Sequence, residues 1–244
     1  LVIYYVKYVH NNLSIGKLCV SFFIMLFIAA VAELKFFYIE FIVILIIASL
    51  FTKFSYKKLF IIVCASVALI VGYRFFVSVF PDTVISIEYL KEYAQTDVGY
   101  STSAAIGRTS TLSYVNQNLL RTTEDKLLGF GMGNCDYASS FDLFTSPFYA
   151  QYGHLRYDWM SISILYLEQG TLGLILYFMI FVVIGTCAYK GRTTSKELGT
   201  IVTVLCFVLV IMLFYNNSMK VESTYLMYFV LALPWAESKR SACK

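Results

Sequence analysis

The residues of this 244-residue chain that could do chemistry gather in one interval. Gly107-Arg108 opens it, and Gly129-Phe130-Gly131-Met132-Gly133-Asn134 forms a glycine cluster. His154-Leu155-Arg156-Tyr157-Asp158 follows, and Glu168-Gln169-Gly170-Thr171-Leu172-Gly173 closes the series. A guanidinium fork binds phosphate oxygens bidentately and never deprotonates. Arg108 therefore suits a phosphate or pyrophosphate, although a lipid headgroup or a loop carboxylate would engage it equally well. Arg121 is a second cation, farther along the same segment and on another helix face. A neutral imidazole accepts a proton from a hydroxyl near neutral pH. His154, with Arg156 and Asp158 just beyond it, thus offers a base, a cation and an orienting carboxylate. An interfacial histidine bonded to backbone would carry the same sequence.

Glu168 sits in an apolar helical run, where an ionised carboxylate is costly unless paired. It would hold a loop arginine or receive a sugar; pairing within the protein is the simpler role. Gly170 and Gly173 beside it suit close helix packing. Lys35, between Glu33 and Glu40, would add a second phosphate-binding cation or merely snorkel to the membrane surface. Tyr137, Phe141, Phe144, Phe148, Tyr149, Tyr152, Tyr157 and Trp159 would stack on sugar rings or form an interfacial belt. The glycine cluster is a turn rather than a nucleotide loop. It lacks a Gly-Lys-Ser/Thr ending, and Asn134 replaces the third glycine of a dinucleotide fingerprint. No Asp-x-Asp pair occurs, so a divalent metal held as in nucleotide-sugar transferases is not expected. Of the six cysteines only Cys135 lies in this interval, which speaks against a disulfide scaffold or a Cys-x-x-Cys metal site.

The elements that must position these residues are transmembrane helices. Hydrophobic residues make up 59% of the chain and charged residues 14%, with a mean hydropathy of +0.72. That composition excludes an ordinary soluble domain. The net charge of +4 reflects lysines of short connections rather than nucleic-acid binding. A span needs about 20 apolar residues, and candidate spans are Leu18–Ala32, Phe36–Thr52, Leu59–Phe80, Trp159–Tyr189, Leu198–Tyr215 and Ser223–Trp235. Lys53, Lys57 and Lys58 fill one connection, Lys190, Arg192 and Lys196 another, and Lys239, Arg240 and Lys244 the tail. Placing these inside gives a consistent alternation, with the large loop outside.

The expected fold is thus an all-α, polytopic transmembrane helix bundle with one large extracytoplasmic loop containing short helices. Its N-terminal transmembrane helices occupy 1–80, the extracytoplasmic loop 81–158, and the C-terminal transmembrane helices with a cytoplasmic tail 159–244. Leu112, Val115, Leu119 and Leu120 recur at helical spacing and predict a helix lying on the membrane surface or on the bundle. The chain opens in mid-apolar sequence without Met or a signal-peptide pattern and reads as the C-terminal part of a longer protein.

The ordered series Gly107-Arg108, the glycine turn through Asn134, His154, and Glu168 with Gly170 and Gly173 resembles the O-antigen ligase and polymerase superfamily of bacterial membrane glycosyltransferases. His154 stands farther from Glu168 than is usual there, which asks for an extra turn of helix or a shifted role. The resemblance implies a multi-pass enzyme of the bacterial plasma (inner) membrane that needs no metal or other cofactor. Its substrate would be a polyprenyl-pyrophosphate-linked oligosaccharide. Arginines would stabilise the leaving pyrophosphate, and the loop histidine would assist the attacking hydroxyl. A polymerase of repeat units and a ligase moving glycan to another acceptor both fit, with membrane lipids and a chain-length regulator or flippase as partners. A transporter of lipid-linked sugars is the reading from another class; it predicts helix-breaking or charged residues near span midpoints.

Overall fold

Long runs of Leu, Ile, Val and Phe leave the backbone one local way to satisfy its polar groups without water, the α-helix. The computed structural model describes residues 1–31, 35–52, 56–79, 98–99, 105–137, 145–190, 195–215, 217, 219 and 223–242. Across these the chain is helical, apart from turns and a two-residue antiparallel pairing of Val98–Gly99 with Ala105–Ile106. Each apolar run read from sequence is a helix: Ile15–Val31, Lys35–Leu50, Tyr56–Val79, Ser161–Tyr189, Lys196–Tyr215 and Ser223–Ala242. Three are long and apolar enough to cross a membrane, over Lys58–Phe75, Ser161–Tyr189 and Lys196–Tyr215. The chain is a membrane protein by that criterion. The apolar stretches Ile15–Ala29, Glu40–Leu50 and Thr224–Ala236 are shorter.

The chain divides into two compact units. The first comprises Leu1–Val84, Val183–Val208 and Phe229–Lys244. Here Val2–Val9 packs through Tyr5, whose hydroxyl lies 2.7 Å from that of Ser49. Phe22 meets Phe41 edge-on at 5.1 Å, and Phe51 packs against Phe207. Lys58, buried although charged, donates to the carbonyls of Ser49, at 3.1 Å, and of Thr52. A lysine from a basic connection thereby caps the carbonyl end of the Lys35–Leu50 helix. Asn12 donates to Glu197, tying the first connection to the Lys196–Tyr215 helix.

The second unit comprises Ile85–Val182 and Leu209–Tyr228. Its core joins Ile106, Val115, Leu119, Leu120, Cys135, Leu155 and Tyr157 to Ile164, Tyr166 and Leu167. The expected surface helix is a turn of α-helix, Thr111–Tyr114, widened into a π-turn over Val115–Leu119. Its apolar face packs on the first part of the Ser161–Tyr189 helix, the second of the two placements its spacing predicts. A further helix, Thr123–Leu128, follows, and its start is dictated locally. Thr122 Oγ1 accepts from the Asp125 N–H at 3.0 Å while Asp125 Oδ2 accepts from the Thr122 N–H at 3.1 Å. Pro147–Tyr152 begins in the same manner, with Ser146 Oγ accepting from the Tyr149 N–H at 2.9 Å and Pro147 in its first turn.

Two buried hydroxyls, Thr111 and Ser163, meet at 2.6 Å and fix the Arg108-bearing turn to the long helix. Thr111→Val leaves the Ser163 hydroxyl without this partner and is expected to cost about 1–3 kcal/mol. Thermal unfolding in detergent reads the loss, and Thr111→Val combined with Ser163→Ala should recover part of it.

Candidate functional site

The long Ser161–Tyr189 helix is interrupted at Gly170, whose φ of 62° and ψ of −165° are non-helical. Such a break frees carbonyls on the N-terminal side, and they must find donors. The glycine turn supplies them. Phe130 donates its N–H to the Leu167 carbonyl at 2.8 Å, and Gly131 donates to the Glu168 carbonyl at 2.9 Å. The Thr171 hydroxyl in turn donates to the Lys126 carbonyl at 2.8 Å. The glycine-rich turn and the Glu-x-Gly-x-x-Gly segment are therefore two halves of one joint.

The fit is backbone against backbone. A Cβ on Gly129 would lie 2.4 Å from the Glu168 carbonyl carbon, and one on Gly170 would lie 2.4 Å from the Leu127 carbonyl oxygen. Both residues also have positive φ, +73° and +62°, which side chains disfavour. Gly173 leaves room within its own helix. A Cβ there would fall 2.2 Å from Gln169 Cβ, so its bareness makes room for Gln169 beside the break. Gly131 and Gly133 also have positive φ and close the turn, with Asn134 Nδ2 donating back to the Phe130 carbonyl at 2.6 Å.

The first part of the broken helix, up to Gln169, gathers the candidate segments. Ser163 holds the Arg108 turn through Thr111, and Asn116 Oδ1 accepts from the Tyr166 hydroxyl at 2.9 Å. Glu168 Oε1 accepts from the Cys135 N–H at 3.4 Å. The Cys135 carbonyl in turn accepts from the buried Tyr157 hydroxyl at 2.6 Å, drawing in the histidine segment. Glu168 thus serves the glycine loop through side chain and carbonyl together. Its carboxylate stands at a helix break rather than within an unbroken apolar helix.

The charged candidates are held in different ways. Arg108 Nε donates to the Tyr215 carbonyl at 2.8 Å, and its guanidinium lies 4.6 Å from the centre of the Tyr215 ring. It thereby caps the end of the Lys196–Tyr215 helix. His154 is exposed on the short turn Gly153–Leu155, with Nδ1 3.1 Å from the Gln151 carbonyl. Arg156 adopts a left-handed conformation, φ 54°, is exposed, and stands 5.6 Å from the Trp159 ring centre. The residues that lengthen the interval between His154 and Glu168 form a second short turn, Tyr157–Trp159. Asp158 lies on that turn, where its charge acts on the Tyr149 phenol. Arg121 is exposed just before the Thr122 cap. The side chain of Lys35 lies outside the described residues.

The loop aromatics pack mainly on one another. Phe148 stands 5.1 Å from Phe130, 4.8 Å from Tyr152 and 5.7 Å from Tyr157, and Tyr149 stands 5.2 Å from Tyr137. Phe141 and Phe144 lie outside the described residues. Tyr157, assigned by sequence to substrate, is wholly buried and acts as a strut. Cys135 and Thr171, which help hold the joint together, carry no local signal of that role, because their partners Glu168 and Lys126 are distant in sequence. Among the described residues no three His, Cys, Asp or Glu side chains cluster as metal ligands would.

Gly129→Ala and Gly170→Ala are expected to lower the unfolding temperature sharply or to prevent accumulation of folded protein. Gly133→Ala meets open space but keeps a φ of +79° and should cost about 1–2 kcal/mol. Gly16→Ala, with nothing within 4 Å, should be neutral or slightly stabilising. Melting curves of the four variants give the ranking. Burial first, then the Asp158 charge, raises the Tyr149 phenol above its usual range, opposed by Arg156. A phenol raised in the folded state lends stability that is complete below about pH 10 and lost as pH climbs through its folded value. Tyr149→Phe should therefore flatten the alkaline fall in unfolding temperature.

No protein-family model, curated protein or solved structure matches this chain.

Proposed function

We propose that this chain is a membrane glycosyltransferase that polymerises polyprenyl-pyrophosphate-linked oligosaccharide repeat units outside the bacterial plasma membrane. The observation that supports it best is the joining of the motif series. The glycine turn is bonded to the Leu167 and Glu168 carbonyls, and the histidine segment is bonded to that turn through Tyr157 and Cys135. In this reading all six apolar helices span the bilayer, the basic connections face the cytoplasm, and 81–158 faces outward.

The chemistry follows from the groups present. The acceptor sugar hydroxyl attacks the anomeric carbon of the donor, and the bond from that carbon to the pyrophosphate oxygen breaks. The hydroxyl proton passes to His154 Nε2, the nitrogen left as acceptor when Nδ1–H donates to the Gln151 carbonyl. Polyprenyl pyrophosphate departs, its charge met by Arg156 and Arg108. Arg156 is exposed beside His154 in sequence and is the better placed to move onto a substrate. Arg108 holds a helix end as well, so its loss would act on folding and on charge together.

The break at Gly170 is a feature that favours a transporter, since interrupted helices often present their freed backbone to cargo. Here the Leu167 and Glu168 carbonyls are taken by Phe130 and Gly131, which argues for a structural joint instead. His154 is exposed and bonded only locally among the interactions given above, so His154→Ala should fold normally. In cells it should lower polymer formation by about 100-fold or more, with lipid-linked single repeat units accumulating. Polymer of normal length and amount from a normally inserted His154→Ala protein would refute the proposed base.

A further inference from the structure

A band of exposed apolar side chains runs from the helix after its break onto the glycine joint. Before Gly170 the helix is buried in its unit, at Ser161, Ile162, Ser163, Ile164, Tyr166 and Leu167. After it, Leu172, Ile175, Leu176, Met179 and Ile180 are exposed. At about 1.5 Å per residue the part from Thr171 to Tyr189 is still roughly 28 Å long, close to the about 30 Å of a bilayer's hydrocarbon core. The Thr123–Leu128 helix abuts its start, through Thr171 bonded to the Lys126 carbonyl and Gly170 against Leu127. Beside that first exposed turn stand Leu127, Leu128 and Met132, exposed by 48%, 54% and 77%. No charged residue occurs from Leu127 through Cys135, nor from Thr171 through Tyr189.

We infer that the tip of the glycine joint is a membrane-interface wedge: Leu128 and Met132 insert among lipid acyl chains at the level of Gly170. Continuity with the exposed apolar surface of the helix selects lipid as the occupant. Glu124 and Arg121, at the other end of the short helix, stay in water. The backbone joint then fixes the depth of the whole site relative to the bilayer, which matters for any substrate carried on a lipid. The inference rests on the membrane placement of this helix and not on the proposed reaction.

The test uses the full chain in lipid nanodiscs, with an added tryptophan in Met132→Trp, Leu128→Trp or Glu124→Trp. Emission from Trp159 and Trp235 is subtracted using the unsubstituted protein. Lipids brominated high on the acyl chain should quench the tryptophan at 132 and at 128, with blue-shifted emission and little quenching by aqueous acrylamide. The tryptophan at 124 should behave in the opposite way. Acrylamide quenching at 132 and 128 as strong as at 124 would overturn the inference. Protection of both positions from bromine and acrylamide alike would also overturn it, by showing that protein covers this surface. Either of the two wedge variants suffices if the other fails to fold.

Discussion

Gly129 and Gly170 let two backbones touch where a single methyl group would collide with carbonyl atoms. Most of what surrounds the candidate site depends on that approach. A helix in an apolar chain cannot simply stop, because the carbonyls it frees have no water to turn to. Here the cost is offset by N–H groups of a turn that is itself possible only because three glycines take positive φ. The break and the turn need each other. Glu168, at the break, then uses its carboxylate to hold the Cys135 N–H, so the acidic residue and the loop share one anchorage.

That anchorage places the candidate groups on a hydrogen-bonded support. The first part of the broken helix gathers the Arg108 turn, the π-turn, the glycine turn and, through Cys135, the histidine segment. Struts and candidate site groups separate cleanly. Tyr157, Thr111 and Ser163 are buried and satisfied within the protein, whereas His154, Arg156 and Arg121 are exposed on short turns. The backbone is pinned and the polar tips project, as the proposed lipid-linked substrate would require.

Hydropathy alone located the six apolar helices, since their runs are long and bounded by charge. The glycine turn was legible for the same local reason: positions needing positive φ are written as glycine. The break at Gly170 was not, because Glu168–Gly173 lies inside a run whose apolar pattern continues on both sides. The role of Arg108 was equally hidden. Its partner is the Tyr215 carbonyl, a backbone atom over a hundred positions away, and no side-chain pattern marks it. The Thr123–Leu128 helix was overlooked although Thr122 and Asp125 carry its cap at the expected spacing. At Gly170 and Arg108 a long-range or backbone interaction outweighed local periodicity, whereas the Thr123–Leu128 helix is set by its local cap.

The central claim is that the glycine turn is bonded to the helix carbonyls freed at Gly170. Amide hydrogen exchange of the full chain in nanodiscs, resolved to single residues, tests it most directly. The Phe130 and Gly131 amides should be protected to the degree of the buried Leu167 region, although their own segment has no regular structure. Exchange of these two amides at the rate of an exposed loop, with the helix on both sides still protected, would contradict the joint and the account built on it.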